Sequence, residues 1–423
     1  MTLADLDKKY QMFSEAASSY DSKKFTFSLS DDIVAKGFQA TAGSRMLEGH
    51  YPVFDSTVAS RMYGAGGTLI GKTNMDEFGS GMFSVTCAKI PKNPLDQKRS
   101  CGGPCGGAAA AAAIIEDHVA LATSVRGGIS IPAAFCGVYG LTPTQGRVSR
   151  HGQIDSVSSM GPIGIISSDP KLLKKYLPVI SGKDANDPVS AAQPELRTGK
   201  KKLRTAAIPK GITDGVSADV LKAFNDSVET LKGMSVDVEY VDMPLLKYAD
   251  AAHYILFTTE IALNLATYCG MRVGRQDGDM SLPFDDFFTS ARSKYFGQET
   301  KADIIAGTYM TLGENRKKFY LRSLGIRQLI LDGFRRTLKD FDAVVTPSTP
   351  FTAPKFDEIG GKDAGRFAVP PVFCGLPCVS VPCSGSGMPA GIQFIADHWD
   401  EDVLLSAAEM CADAFAKKKG DSK

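Results

Sequence analysis

The chain carries almost no net charge: 48 Lys and Arg stand against 47 Asp and Glu over 423 residues, a balance of +1. That removes any electrostatic argument for nucleic acid or an anionic membrane surface as partner. Histidine is scarce, at five, and the nine cysteines are scattered without a CxxC pair or a histidine at ligand spacing. No metal site and no cofactor are therefore expected. An odd, dispersed set of cysteines fits free thiols in a reducing compartment, the cytoplasm or the mitochondrial matrix. No apolar run approaches the roughly 20 residues needed to cross a bilayer, so no transmembrane segment is expected.

What is present is a core-forming composition, 43% hydrophobic, enough for one large domain over residues 1–423. Residues 1–24 place Leu3, Leu6, Tyr10 and Phe13 at helical spacing and predict an N-terminal helix; lacking arginine, they do not read as a presequence. The alanine run 108–113 predicts a helix packed closely on a sheet. A strand over Leu203–Pro209, a helix over Ala218–Lys232 and a strand over Val236–Val241 predict a βαβ unit and hence an α/β fold. The stretch 182–198, rich in Ala, Pro, Asp and Ser, predicts a connecting loop. Pro377–Val381 predicts a buried strand, Glu401–Ala416 the last helix, and 417–423 a flexible tail.

Several motifs recur in a fixed order: FQATAGSRML (38–47), LIGKTNMDEF (69–78), GGPCGG (102–107), LATSVRGGISIPAAFCG (121–137), FDAVVTPSTP (341–350) and GIQF (391–394). Together they resemble the amidase-signature family, and within it the A-subunit branch of the glutamyl-tRNA(Gln) amidotransferases. The resemblance implies a mixed sheet sandwiched between helices. It also implies a Ser–Ser–Lys mechanism, in which a neutral lysine takes a proton through a relay serine from a nucleophilic serine. Backbone amides then stabilise the oxyanion.

All three positions have changed type here. Ser30 stands where the lysine belongs and Pro104 where the relay serine belongs. Counting back from PAAFCG puts Gly128 at the nucleophile, 24 residues after Pro104, which matches the family spacing; a one-residue slip would put Ile129 there. Neither register supplies a hydroxyl. Arg126 adds a long cation to the loop that lines the oxyanion site. Members of such a set act as a unit, so their joint loss removes this mechanism.

Substitutes are few. Cys105 would need a lowered pKa, which Arg126 could in principle supply, against the plainer reading of a small packed residue. Ser124 and Ser130 flank the lost nucleophile. Lys36 and Lys72 read as solvated or capping lysines, and the acidic pair Asp31–Asp32 as loop hydrogen-bond acceptors. Of the family's substrate-holding residues, Tyr268 and Arg327 match as remnants, while the ammonium-binding aspartate aligns with Gly365 and the aspartate after Tyr268 has become Cys269. The resulting expectation is a catalytically inactive relative, retained as a structural or interaction subunit among the other protein subunits of a larger assembly, with a mitochondrial setting. Two alternatives stay open: an amidotransferase A-subunit-type enzyme supplying ammonia for Gln-tRNA(Gln) formation by a non-standard site, and a sensor of small amides.

Overall fold

The computed structural model describes residues 2–21, 23–194, 196, 201–276, 279–383 and 387–420, with the backbone alone over 415–420. Thr2 caps helix α1 (Leu3–Tyr10), its hydroxyl and the Asp5 carboxylate completing a capping box. Gln11 then turns left-handed, at φ 53°, and Asp7 accepts from the Phe13 amide at 2.8 Å. The chain leaves as strand β1 (Phe13–Ala16), so the helix expected over 1–24 is a short helix and an edge strand.

Strands β2 (Thr26–Ser30) and β3 (Thr68–Thr73) enclose α2 (Thr57–Gly64). Then come α3 (Gly106–Ile114), β4 (His118–Thr123), α4 (Ser130–Cys136), β5 (Tyr139–Thr142), β6 (Ile163–Ser167) and α5 (Pro170–Ile180). The expected βαβ unit is β7 (Thr205–Pro209), α6 (Ala218–Gly233) and β8 (Asp237–Val241), its strands paired in parallel. A helical layer follows in α7 (Ala249–Asn264), α8 (Phe284–Tyr295), α9 (Gln298–Thr311) and α10 (Arg322–Thr337). The chain ends with β9 (Ala343–Pro347), α11 (Val369–Cys374), β10 (Cys378–Pro382), β11 (Gly391–Ile395) and α12 (Glu401–Gly420). The expected tail is thus helical to 420, and 421–423 lie outside the described residues. So do 195 and 197–198 of the expected connecting loop, whose described part is turn and bend.

These eleven strands form one mixed sheet in the order β1-β3-β2-β4-β6-β5-β10-β11-β9-β7-β8. The pairs of β2 with β3 and β4, and of β7 with β8 and β9, are parallel; the others are antiparallel. Alternation along the strands feeds two cores. Leu121, Val345, Val379 and Phe394 face α2, α5, α6 and α12. Val344, Cys378 and Ile395 face α7, α10 and α11, while Ala120 and Ala122 meet α3 and α4. No described helix is long and apolar enough to cross a membrane.

The start of α12 is tied to the sheet by a buried ion pair. Arg147 Nε lies 2.7 Å from Glu401 Oε1, with both side chains shut off from solvent, and the Thr144 amide donates to the same oxygen at 2.9 Å. Removing one partner leaves an uncompensated charge in the interior. Glu401→Ala is expected to cost about 3–5 kcal/mol of unfolding free energy in a denaturant titration.

Candidate functional site

Small residues draw two loops together. Ala108–Ala112 of α3 are fully buried against Ala120 and Ala122 of β4. A side chain at Gly107 would stand 2.4 Å from the Met12 carbonyl oxygen. Gly107 thus seats the start of α3 on the Met12 and Asn74 backbone, and the loop before it meets the loop that leaves β4. There the Gly103–Pro104 peptide is cis. A Cβ on Gly128 would lie 2.4 Å from the Thr123 carbonyl oxygen and 3.0 Å from Pro104 Cγ. The positions matched to relay and nucleophile are therefore neighbours, and neither carries a polar side chain. Ile129, the slipped alternative, is buried in the core with Ala133.

Polar groups stand beside them. Ser30, at the end of β2, donates its hydroxyl to Asp32 Oδ1, and Thr123, at the end of β4, donates to Asp32 Oδ2 at 2.7 Å. Cys105 Sγ lies 3.4 Å from the Thr123 carbonyl oxygen and 3.8 Å from its hydroxyl. All four side chains are buried. Burial raises the Asp32 carboxyl above its ordinary range, outweighing the two hydroxyl donors and the charge of Lys72. Burial lowers Lys72 against the pull of Asp31, Asp32 and Glu15. Lys72 is not the solvated lysine expected from the motif: it is fully enclosed, with Nζ 3.2 Å from the Asp31 carbonyl oxygen. Asp31 holds its own loop, accepting from Ser14 Oγ at 2.8 Å and from the amides of Thr41 and Gly43 at 3.2 and 3.1 Å.

The thiol of Cys105 is pushed far up by burial, and Asp32 adds to the effect. Arg126 does not relieve it. Its guanidinium donates to the Ser80 carbonyl oxygen and lies 5.0 Å over Phe257 and 5.7 Å over Tyr254, on α7. The cation that was to favour a thiolate is engaged elsewhere. Ser124 accepts from the Thr142 hydroxyl at 3.1 Å, Ser130 faces Cys378 Sγ at 3.8 Å, and Lys36 is exposed.

Tyr268 and Arg327 engage other residues. Tyr268 packs on Phe78, with ring centroids 5.4 Å apart, and burial pushes its phenol up to about 12. Arg327 donates to the Ser159 carbonyl oxygen at 3.3 Å and lies 5.7 Å over Phe373. Gly365 adjoins Met82 and Val369. Among the described residues no group of three or more His, Cys, Asp or Glu side chains is arranged to hold a metal ion. Sequence reasoning missed Thr123 and the central place of Asp32. The available signals were a threonine closing the strand HVALAT and a carboxylate two residues after Ser30.

The amidase family model matches residues 26–405, and the chain belongs to that family. It is 36% identical over 391 residues to the glutamyl-tRNA(Gln) amidotransferase A-subunit of Clostridium novyi, covering 89% of this chain and 80% of that one. The corresponding protein of Methanococcoides burtonii is 36% identical over 393 residues, covering 90% and 82%. The crystal structure of the A-subunit from Thermotoga maritima superposes with a TM-score of 0.80 at 29% identity, over 96% of this chain and 88% of that one. These relatives overturn the inactive, purely structural role expected above: chains this similar over nine tenths of the sequence are subunits of an amidotransferase. The expectation weighed three positions against one mechanism. It read Asp31–Asp32 as loop hydrogen-bond acceptors and did not consider Thr123.

Restoring a serine at the nucleophile position does not fit this backbone. Gly128→Ser forces its Cβ into the Thr123 carbonyl oxygen, which is main chain and gives way only if the strand end moves. A destabilisation of about 1–3 kcal/mol is expected, read as a lowered unfolding midpoint, with no gain in amide hydrolysis.

Proposed function

We propose that the chain is an amidotransferase A-subunit-type enzyme, releasing ammonia from an amide such as glutamine to serve the conversion of glutamyl-tRNA(Gln) to glutaminyl-tRNA(Gln). The observation that carries this reading is the 36% identity to such subunits over 89% of the chain. Its partners are then the other protein subunits of that amidotransferase. Nine free cysteines support a reducing compartment, the cytoplasm or the mitochondrial matrix.

The hydrolytic groups in this reading are Asp32 and Thr123. Asp32 accepts the hydrogen bond of the Thr123 hydroxyl at 2.7 Å, and burial raises its carboxyl above the ordinary carboxylate range, which strengthens it as a base. The hydroxyl oxygen bonds to the amide carbon, and its proton passes through Asp32 to the leaving nitrogen. Ammonia departs, and water then cleaves the acyl ester. Both groups lie beneath the two touching loops, so turnover requires the loops to part.

Glutaminase activity is measured on the isolated chain and again with its companion subunits present. Asp32→Asn and Thr123→Val are each expected to lower the rate by about 10²–10⁴-fold, whereas Cys105→Ala retains it. A rate no higher than buffer under both conditions would overturn the proposal. Equal rates in wild type and Thr123→Val would move the nucleophile elsewhere.

A further inference from the structure

One long side chain ties the loop that leaves β4 to the helical layer. Arg126 follows Thr123 by three residues, and its guanidinium is held by three groups. It donates to the Ser80 carbonyl oxygen and lies over two rings of α7, 5.7 Å from Tyr254 and 5.0 Å from Phe257. The anchor is itself braced from α9, where Asp303 accepts from the Ser80 hydroxyl and from the Tyr254 hydroxyl at 3.1 Å. One residue earlier, the Val125 carbonyl oxygen lies 3.2 Å from His253 Nε2, on α7 again. Beyond Arg126 the chain passes through Gly127, in the left-handed region at φ 76°, to Gly128 against the Pro104 ring. Yet the fit is incomplete: Arg126 Nε is closed to solvent and has no hydrogen-bond partner among the described residues.

From this arrangement we infer that Arg126 is a releasable clasp, which holds the β4 loop on α7 and so keeps Gly128 and Pro104 closed over Thr123 and Asp32. The hold is suited to opening. A guanidinium over aromatic rings with one hydrogen bond to a carbonyl is a modest attachment, and the unpaired buried Nε–H weakens it further. Release would free the loop from the helix without disturbing the strand that precedes it. That the clasp is inhibitory rests on the hydrolytic reading of Asp32 and Thr123; that it holds the loop shut does not.

Thiol labelling reads the loop without requiring turnover. Cys105 is buried beneath it, with Sγ 3.4 Å from the Thr123 carbonyl oxygen, whereas Cys411 is buried in the other core, on α12. The full chain is treated with N-ethylmaleimide, and mass spectrometry follows the rate at each cysteine. Arg126→Ala is expected to speed labelling of Cys105 about tenfold or more while Cys411 keeps its wild-type rate. Arg126→Lys, which keeps the charge and loses the planar fork, is expected to fall between wild type and Arg126→Ala. An unchanged Cys105 rate in Arg126→Ala, or one that rises only in step with Cys411, would overturn the inference. Glutaminase is measured on the same chains. Faster labelling of Cys105 alone, with no glutaminase in either chain, would retire the hydrolytic reading and leave the clasp standing. Unchanged labelling beside measurable glutaminase would do the reverse.

Discussion

Two loops of this protein meet where the Pro104 ring packs on Gly128, and much else follows from that contact. The Thr123 carbonyl and the Pro104 ring close on Gly128 so tightly that no Cβ fits between them. The buried alanines of α3 hold the helix against β4 at a distance that larger side chains would prevent, and Gly107 seats its start on the Met12 and Asn74 backbone. The same contact holds the ends of β2 and β4 where Ser30 and Thr123 reach one carboxylate. Packing of small residues here decides which polar atoms meet.

Buried charge is the cost of that arrangement, and hydrogen bonds offset it. Asp76 is fully enclosed and its carboxyl is raised by burial. It is held by the Ser84 amide at 2.7 Å, the Thr86 amide at 3.0 Å and the Thr86 hydroxyl at 2.9 Å. It also lies so near the loop before Pro104 that a Cβ on Gly103 would stand 2.6 Å from its Oδ2. Asp32 and Lys72 repeat the pattern one strand away. A buried ionisable group is tolerated when its polar atoms are partnered, as those of Asp76 are here.

The fold was legible in the sequence wherever periodicity or composition constrained a whole element. The alanine helix and the βαβ unit fall within a few residues of where the pattern put them, because each buries one continuous face. Residues 1–24 misled because Gln11 and Asp7 make a local turn that apolar spacing does not encode. At the site, alignment brought Ser30, Pro104 and Gly128 to one place in space. It could not show that Lys72 is enclosed, that Arg126 turns toward α7, or that Thr123 leans on Asp32. Those are facts of side-chain direction, which no spacing in the chain carries. Reading three lost residues as a lost function was the larger error, since relatives this similar are amidotransferase subunits.

Helix α7 packs against the loop that leaves β4. His253 lies 3.2 Å from the Val125 carbonyl oxygen and is held neutral, its pKa brought down to about 3 chiefly by burial and further by Arg126. Tyr254 and Phe257 receive the Arg126 guanidinium beyond that. Val125 and Arg126 therefore rest on this one helix. A shift of α7 small enough to preserve its packing would still move Val125 and Arg126, two and three residues from Thr123. Energetic coupling needs a shared rigid element with more than one arrangement. The helix supplies such an element, beside a loop whose Gly127 and Gly128 leave no room for a Cβ against Ala368 and the Thr123 carbonyl oxygen.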